Sequence, residues 1–318
     1  MRTVRNYFRR EPSVLAAWSV LAVIVAIWLT GTSLNVLSVT IMISQKVPLV
    51  LAAIGAAIVI MGRGIDLSVG AVLTVVNTII AAGTALYGNT VVWIGVGLLV
   101  ALIAGAVNGI CVAWLRLPPL IVTLAVQSIL LGVALYILPT PGGKVDDWMK
   151  ELPLLLVGPL PLMLLIAIAV PLGIWYPLRR SRFGVALLSS GADESAAYAS
   201  GINVKRTVIS SYVLSAFFAG LAGVVMSMNT GSGDPTIGVP FTLNTIAASV
   251  VGGVSLAGGR GTIAGPIAGA LVVGFIGNLL FSLGVNPYWQ YVVTGAVLIV
   301  AIAIPAGIRV LRAERQPS

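Results

Sequence analysis

The sequence predicts an all-α membrane protein of about ten transmembrane helices, with both termini on the cytoplasmic side. Three observations carry that prediction. Of 318 residues, 58% are hydrophobic and only 8% are charged, whereas a soluble domain carries roughly 25% charged residues. So few charges cannot cover a water-facing surface. The apolar residues gather into ten runs, near the ~20 residues that cross a hydrocarbon core. The basic residues gather on one side of those runs, as cytoplasmic loops require. The 36 glycines suit closely packed membrane helices, where van der Waals contact replaces the hydrophobic drive.

The runs are taken in order. Residues 1–13 carry Arg2, Arg5, Arg9 and Arg10, and the run behind them lacks a small-residue cleavage site. It therefore reads as a retained first span, 14–31, and not as a signal peptide. Spans follow at 46–61, 67–86, 91–115, 120–138, 160–178, 207–228, 243–256, 262–283 and 289–308. The second and eighth are short and are expected to be broken or re-entrant, which lipid permits only inside protein or a cavity. With the N-terminus inside, every one of the 18 basic residues falls inside except Lys46, Lys144 and Lys150. Trp93, Trp114, Trp148, Trp175, Tyr176, Tyr288 and Trp289 lie near span ends and read as an aromatic belt. The chain 1–318 is expected to be a single transmembrane domain with a membrane core over 14–308.

Three connections are more than turns. Loops 139–159 and 229–242 fall outside and are rich in Gly, Pro and Asp. Both carry turn chemistry, and they serve either as a docking surface for an external partner or as plain connectors. The stretch 179–206 falls inside. Within it, residues 193–200 favour a short helix, with Asp193 and Glu194 at the end where the helix dipole prefers acids. Gly201 follows as a terminator.

Several chemistries are excluded. There is no Gly-x-x-x-x-Gly-Lys-Ser/Thr pattern, so a nucleotide phosphate has no cradle of the usual kind in this chain. There is no histidine, and Cys111 is alone, so metal and acid–base catalysis have little to work with. No metal site and no nucleic-acid partner are expected. The net charge of +9 is explained by membrane topology.

Asp66 is the acid nearest the membrane core. It sits in Met-Gly-Arg-Gly-Ile-Asp-Leu-Ser-Val-Gly, residues 61–70, and is expected to pair with Arg63 or to cap the following helix together with Ser68. A second Gly-rich junction, 251–270, repeats the Arg-Gly step at Arg260-Gly261, a hint of internal repetition. Uncharged polar side chains within spans offer donors and acceptors to a neutral solute. With Asp66 and Ser68, the path or gate candidates are Asn77, Asn108, Gln127, Asn244 and Asn278. Interhelical hydrogen bonding is the alternative use of each.

These residues carry a resemblance. Gly64-Ile65-Asp66-Leu67-Ser68-Val69-Gly70 is similar to the signature of the ribose/xylose/arabinose-type permeases of bacterial ABC importers. The segment 194–204 resembles that family's cytoplasmic coupling segment, and 249–253 with 258–261 resembles a third stretch. Order and spacing agree over about 34–308. The family usually has Gly-Gly where this chain has Arg63-Gly64, and an Asn where it has Asp193.

The resemblance implies a type II-like (cobalamin-importer-like) permease in the bacterial inner membrane. It implies signature glycines at Gly64, Gly70, Gly252 and Gly253. Glu194, Ala197 and Gly201 would couple to an ATPase. The implied partners are an ABC ATPase subunit, a periplasmic solute-binding protein and a second permease chain, identical or paralogous. ATP and magnesium would belong to the ATPase, leaving no cofactor here. The solute would be a sugar or similar polar molecule. Rival readings are a branched-chain amino acid or nucleoside ABC permease, and a stand-alone secondary transporter.

Overall fold

The computed structural model describes residues 35–282 continuously, with residues 14, 17–22 and 25 and scattered positions between 284 and 303. The predicted spans 14–31 and 289–308 lie mostly outside the described residues, as do both basic termini. Among the described residues, six helices are long and apolar enough to cross a membrane. They are α1 (Val36–Met61), α2 (Val69–Tyr87), α3 (Thr90–Ala113), α4 (Pro119–Ile137), α6 (Leu162–Arg180) and α9 (Val204–Thr230). Between α4 and α6 lie a short helix α5 (Asp147–Glu151), a 3-10 turn and a two-residue hairpin. Between α6 and α9 lie α7 (Arg182–Ala192) and α8 (Glu194–Ala199). Two apolar helices, α10 (Val239–Val251) and α11 (Ala264–Ser282), close the described chain.

The second span is not short. Helix α1 has 26 residues and reaches about 39 Å at 1.5 Å per residue, enough to cross the core. Asn35 starts it, its side chain accepting from the Ser38 N–H at 2.7 Å. Lys46 therefore lies within a helix and not in an external loop. Its ammonium sits over the Phe275 ring, 6.0 Å from the centroid. The lysine and Pro48 weaken the local apolar signal, which is why the sequence places the start too late.

The eighth span is short, as expected. Helix α10 has 13 residues, about 20 Å, too little for the ~30 Å core. The chain between α9 and α10 turns back into the bundle along α2. There the Asp234 N–H donates to Asn77 Oδ1 at 2.8 Å, and the Gly238 N–H donates to Thr74 Oγ1 at 3.0 Å.

Helix α9 is the axis of the fold, packing along α3, α1 and α2. It approaches α3 closely because Gly105 carries no side chain: a Cβ there would sit 2.6 Å from the Tyr212 carbonyl oxygen. Within their apolar spans α1 and α2 are 83% and 89% buried, whereas α3 and α4 are each 28% and α6 is 22%. The first two are interior posts and the others are an outer shell. On α3 the residues Val92, Val96, Leu99, Ile103, Val107 and Ile110 are all exposed. They recur every three or four positions, so they form one apolar stripe, suited to lipid. Trp175 is 6% exposed and belongs to the core, not to a belt.

Candidate functional site

The first Gly-rich junction, between α1 and α2, folds around Asp66. Its Oδ1 accepts the Ser68 N–H at 2.9 Å and the Ser68 hydroxyl at 2.6 Å. Its Oδ2 accepts the Ser215 hydroxyl of α9 at 2.9 Å. Asn108 of α3 donates to Ser68 Oγ at 2.8 Å, and Tyr212 donates to the Ile65 carbonyl at 3.3 Å. Asp66 is 2% exposed, and Ser68, Asn108 and Ser215 are 0%. One carboxylate thus joins the start of α2 to α9 and, through Ser68, to α3. The expected partner Arg63 is not among these donors, and of the expected cap only the Asp66 half forms, on the Ser68 N–H at the start of α2, while the Ser68 side chain caps nothing. Arg63 instead lines a space shared with Glu194 at the start of α8.

The second Gly-rich junction meets the first. The Gly259 N–H donates to the Met61 carbonyl at the end of α1, at 2.9 Å. Gly191, near the end of α7, lies against both: a Cβ there would sit 2.0 Å from the Met61 oxygen and 2.7 Å from the Gly259 nitrogen. A Cβ on Gly258 would lie 2.7 Å from the Gly191 oxygen. Backbone rests on backbone, with no side chain to act as a cushion. Arg63 adopts φ 67° here, the left-handed region that glycine enters freely.

Helix α8 follows directly. Asp193 caps it by accepting the Ser195 and Ala196 N–H groups at 2.9 and 3.0 Å. The Ala196 N–H, then the Ser195 hydroxyl, hold this carboxyl below the usual carboxylate range. Gly201 ends the turn at φ 80° with open space where a Cβ would point. Glu194 and Gly201 are exposed. Ala197 is not: at 4% exposure it faces the body of the protein and anchors the helix. The outward face belongs to Tyr198, 76% exposed, a residue the sequence reading passed over. The signal was available, since a large aromatic in a polar six-residue helix has no core to fill.

The remaining candidates separate. Asn77 is fully buried and tied to the re-entrant segment and to α9, with Nδ2 donating to the Ser232 carbonyl at 3.0 Å and to Ser227 Oγ at 2.9 Å. Gln127 is half-buried, with Nε2 3.5 Å from Thr242 Oγ1 on α10. Asn244 is half-buried on α10. Asn278 lies on α11, and its side chain is outside the described residues. Ser215 was missed because a serine in an apolar run looks the same whether it packs or bonds. Gly64, Gly70 and Gly252 each carry a close approach, to Tyr212, Gly238 and Gly265. Gly253 has φ 87°.

At the opposite end of the bundle the two long loops meet. Gly142 and Gly233 exchange backbone hydrogen bonds at 2.9 and 2.8 Å. Asp146 Oδ2 accepts the Thr90 N–H at 3.0 Å, while the Asp146 N–H donates to Thr90 Oγ1 at 2.9 Å. The Thr90 N–H, then the Thr90 hydroxyl, hold the Asp146 carboxyl below its usual range.

Comparison with known proteins fits this arrangement. The chain is 35% identical over 263 residues to the ribose import permease protein of Escherichia coli, covering 79% of this chain and 80% of that one. It is 35% identical over 289 residues to the fructose import permease protein of Rhizobium meliloti, covering 84% and 78%. It is 34% identical over 293 residues to the D-allose transport system permease protein of Escherichia coli, covering 90% and 89%. No solved structure matches this chain. A family model described as branched-chain amino acid transport system / permease component matches residues 37–302. The chain belongs to that permease family and is a membrane transport component, not an enzyme.

Proposed function

We propose that this chain is the membrane-spanning subunit of an ATP-driven importer for a sugar, fed by an external binding protein. The observation that carries the reading is the contact of Gly191 with both Gly-rich junctions. It links the exposed helix α8 rigidly to the ends of the spans. A soluble ATPase gripping α8 would push directly on the Met61 and Gly259 backbones. Through the turn to Asp66 the push would reach α2, α3 and α9 together. The spans would then rock and open a path first to one side and then to the other.

In this reading the chain has about ten spans with both termini in the cytoplasm of a bacterium, the end with α8 inside and the joined loops outside. ATP and magnesium sit in the partner ATPase. A second permease chain completes the path. The sugar assignment rests on the relatives, whose names specify ribose, fructose and D-allose. Discontinuous segments such as the one entering α10 suit a solute site in a transporter. The family description names branched-chain amino acids, which keeps an amino acid as the second reading.

Gly201→Arg tests the coupling. A Cβ there meets nothing within 4 Å, and the φ of 80° costs an exposed turn only about 1–2 kcal/mol, so insertion should survive while docking on α8 is blocked and uptake is lost. Wild-type uptake by this variant would overturn the coupling role of α8. Ligand screening on the binding protein that copurifies decides between sugar and amino acid.

A further inference from the structure

Beside the start of α8 lies a cavity of about 440 Å³. It is bounded by the α1–α2 junction, the C-terminal end of α3, α7 and the start of α9. Arg63, Arg116 and Lys205 line it, with Glu194 the one acid in its wall. None of the three cations forms a salt bridge among the described residues. The bias of basic residues toward one side of the membrane explains their presence at this end. It does not explain why three from different elements line one cavity.

Two further observations point to a ligand. Ser190 stands in the same wall, 5% exposed, and its hydroxyl has no hydrogen-bond partner. Such a group buried unsatisfied costs about 1–3 kcal/mol. Arg63 and Arg116 hold φ angles of 67° and 54°, a conformation that residues other than glycine seldom keep without a reason. The wall also contains Val112 and Val208, an apolar surface for an organic body.

We propose that this cavity binds a phosphate group carried on a small organic body, with Arg63, Arg116 and Lys205 as cationic ligands and Ser190 as a hydroxyl donor. Guanidinium forks match phosphate oxygens, and a lysine adds a mobile point charge. Free phosphorylated solutes and anionic lipid headgroups share this chemistry. The bound group bridges the start of α9 to the α1–α2 turn and the end of α3. On the coupling reading above, it braces α8 against the helices it moves, so occupancy slows transport.

The test uses the full chain alone in phosphatidylcholine nanodiscs, so it does not depend on ATPase docking. Inorganic phosphate and glucose 6-phosphate are titrated against chloride at matched ionic strength, with the melting temperature as readout. Native mass spectrometry of the chain extracted from cell membranes reports retained phosphatidylglycerol. The expected result is a rise in melting temperature with phosphate or its ester but not chloride, or selective retention of the lipid. The first assigns a free ligand and the second a headgroup. Arg116→Gln with Lys205→Gln should weaken either by at least tenfold. Should that pair fail to fold, Lys205→Gln alone, an exposed site, should weaken it severalfold. A chloride response equal to that of phosphate, together with lipid retention unchanged in the variants, overturns the site. Wild-type uptake by Gly201→Arg with this binding intact would remove the coupling reading and leave the site standing.

Discussion

The two ends of the bundle weight their contacts differently, although the loop end also has a glycine backbone bridge, Gly142 to Gly233. At the α8 end, Gly191, Gly259 and Met61 bring three backbones into contact. At the other end, side chains reach between elements: Asn77 to the re-entrant segment, Asp146 and Thr90 to each other. A glycine contact is stiff, because nothing in it can rotate. A side-chain hydrogen bond can break and reform. The stiff end is the one suited to pass on a push, and the loops at the other end are suited to part and close.

The difference also says how each end fails. The glycine end is broken by adding atoms and the polar end by removing them. The largest effect should come from Gly191→Val. Its Cβ would lie 2.0 Å from a carbonyl oxygen of another element, and overpacking against backbone should exceed about 3 kcal/mol. Loss of the folded peak in size-exclusion chromatography checks this, and a normal peak with normal uptake would end the account of a rigid contact.

Asn77→Leu comes next. It fills similar space but strips the Asp234 N–H of its partner, while the Ser232 carbonyl keeps the Thr230 hydroxyl, for up to about 3 kcal/mol. Thermal unfolding in detergent measures it. If Asn77→Leu melts with the wild type, the re-entrant segment is held by something else.

Asp66 separates charge from hydrogen bonding. Asp66→Ala leaves the Ser68 and Ser215 donors unsatisfied and should cost about 2–3 kcal/mol. Asp66→Asn keeps an acceptor for both Ser68 donors, and the Ser215 hydroxyl can turn to accept from the new amide. It should cost less than half as much as Ala. Equal losses would mean that the negative charge itself is required.

The smallest effect is on pH. Both Asp193 and Asp146 have carboxyl pKa values lowered by N–H donors. A group with a depressed folded pKa stabilises the fold above its unfolded value, about 4 for Asp, and that contribution fades as pH falls through the folded value. Melting temperature should be flat from pH 8 to 5 for these caps and decline only below about 4. In Asp193→Ala that acid decline should be shallower.

Much of this was legible from the residues. The apolar runs gave the helices of the described core to within a few residues, apart from the start of α1 and both ends of α10, which begins and ends earlier than the run at 243–256. Asp193 as the acid that starts α8 and Gly201 as its end follow from local chemistry, and both have the geometry expected. Asp66 stood out because an acid between apolar spans has few innocent uses. Its true partners did not stand out, since Ser215 is 149 positions away and Arg63, next door in sequence, faces elsewhere. The resemblance put Ala197 among the residues that couple to an ATPase. Only packing reveals that it points inward while Tyr198 points out.

The sequence by itself determined that this is a helical membrane protein of a permease family, because hydropathy, charge bias and short motifs are local properties that each residue carries alone. The tertiary structure decided that Gly191 joins two junctions far apart in the chain and that the segment before α10 folds back onto Asn77. It also gathered Arg63, Arg116 and Lys205 around one cavity. Those are contacts between distant segments, and a glycine or an arginine shows its partner only when the folded chain brings one within reach.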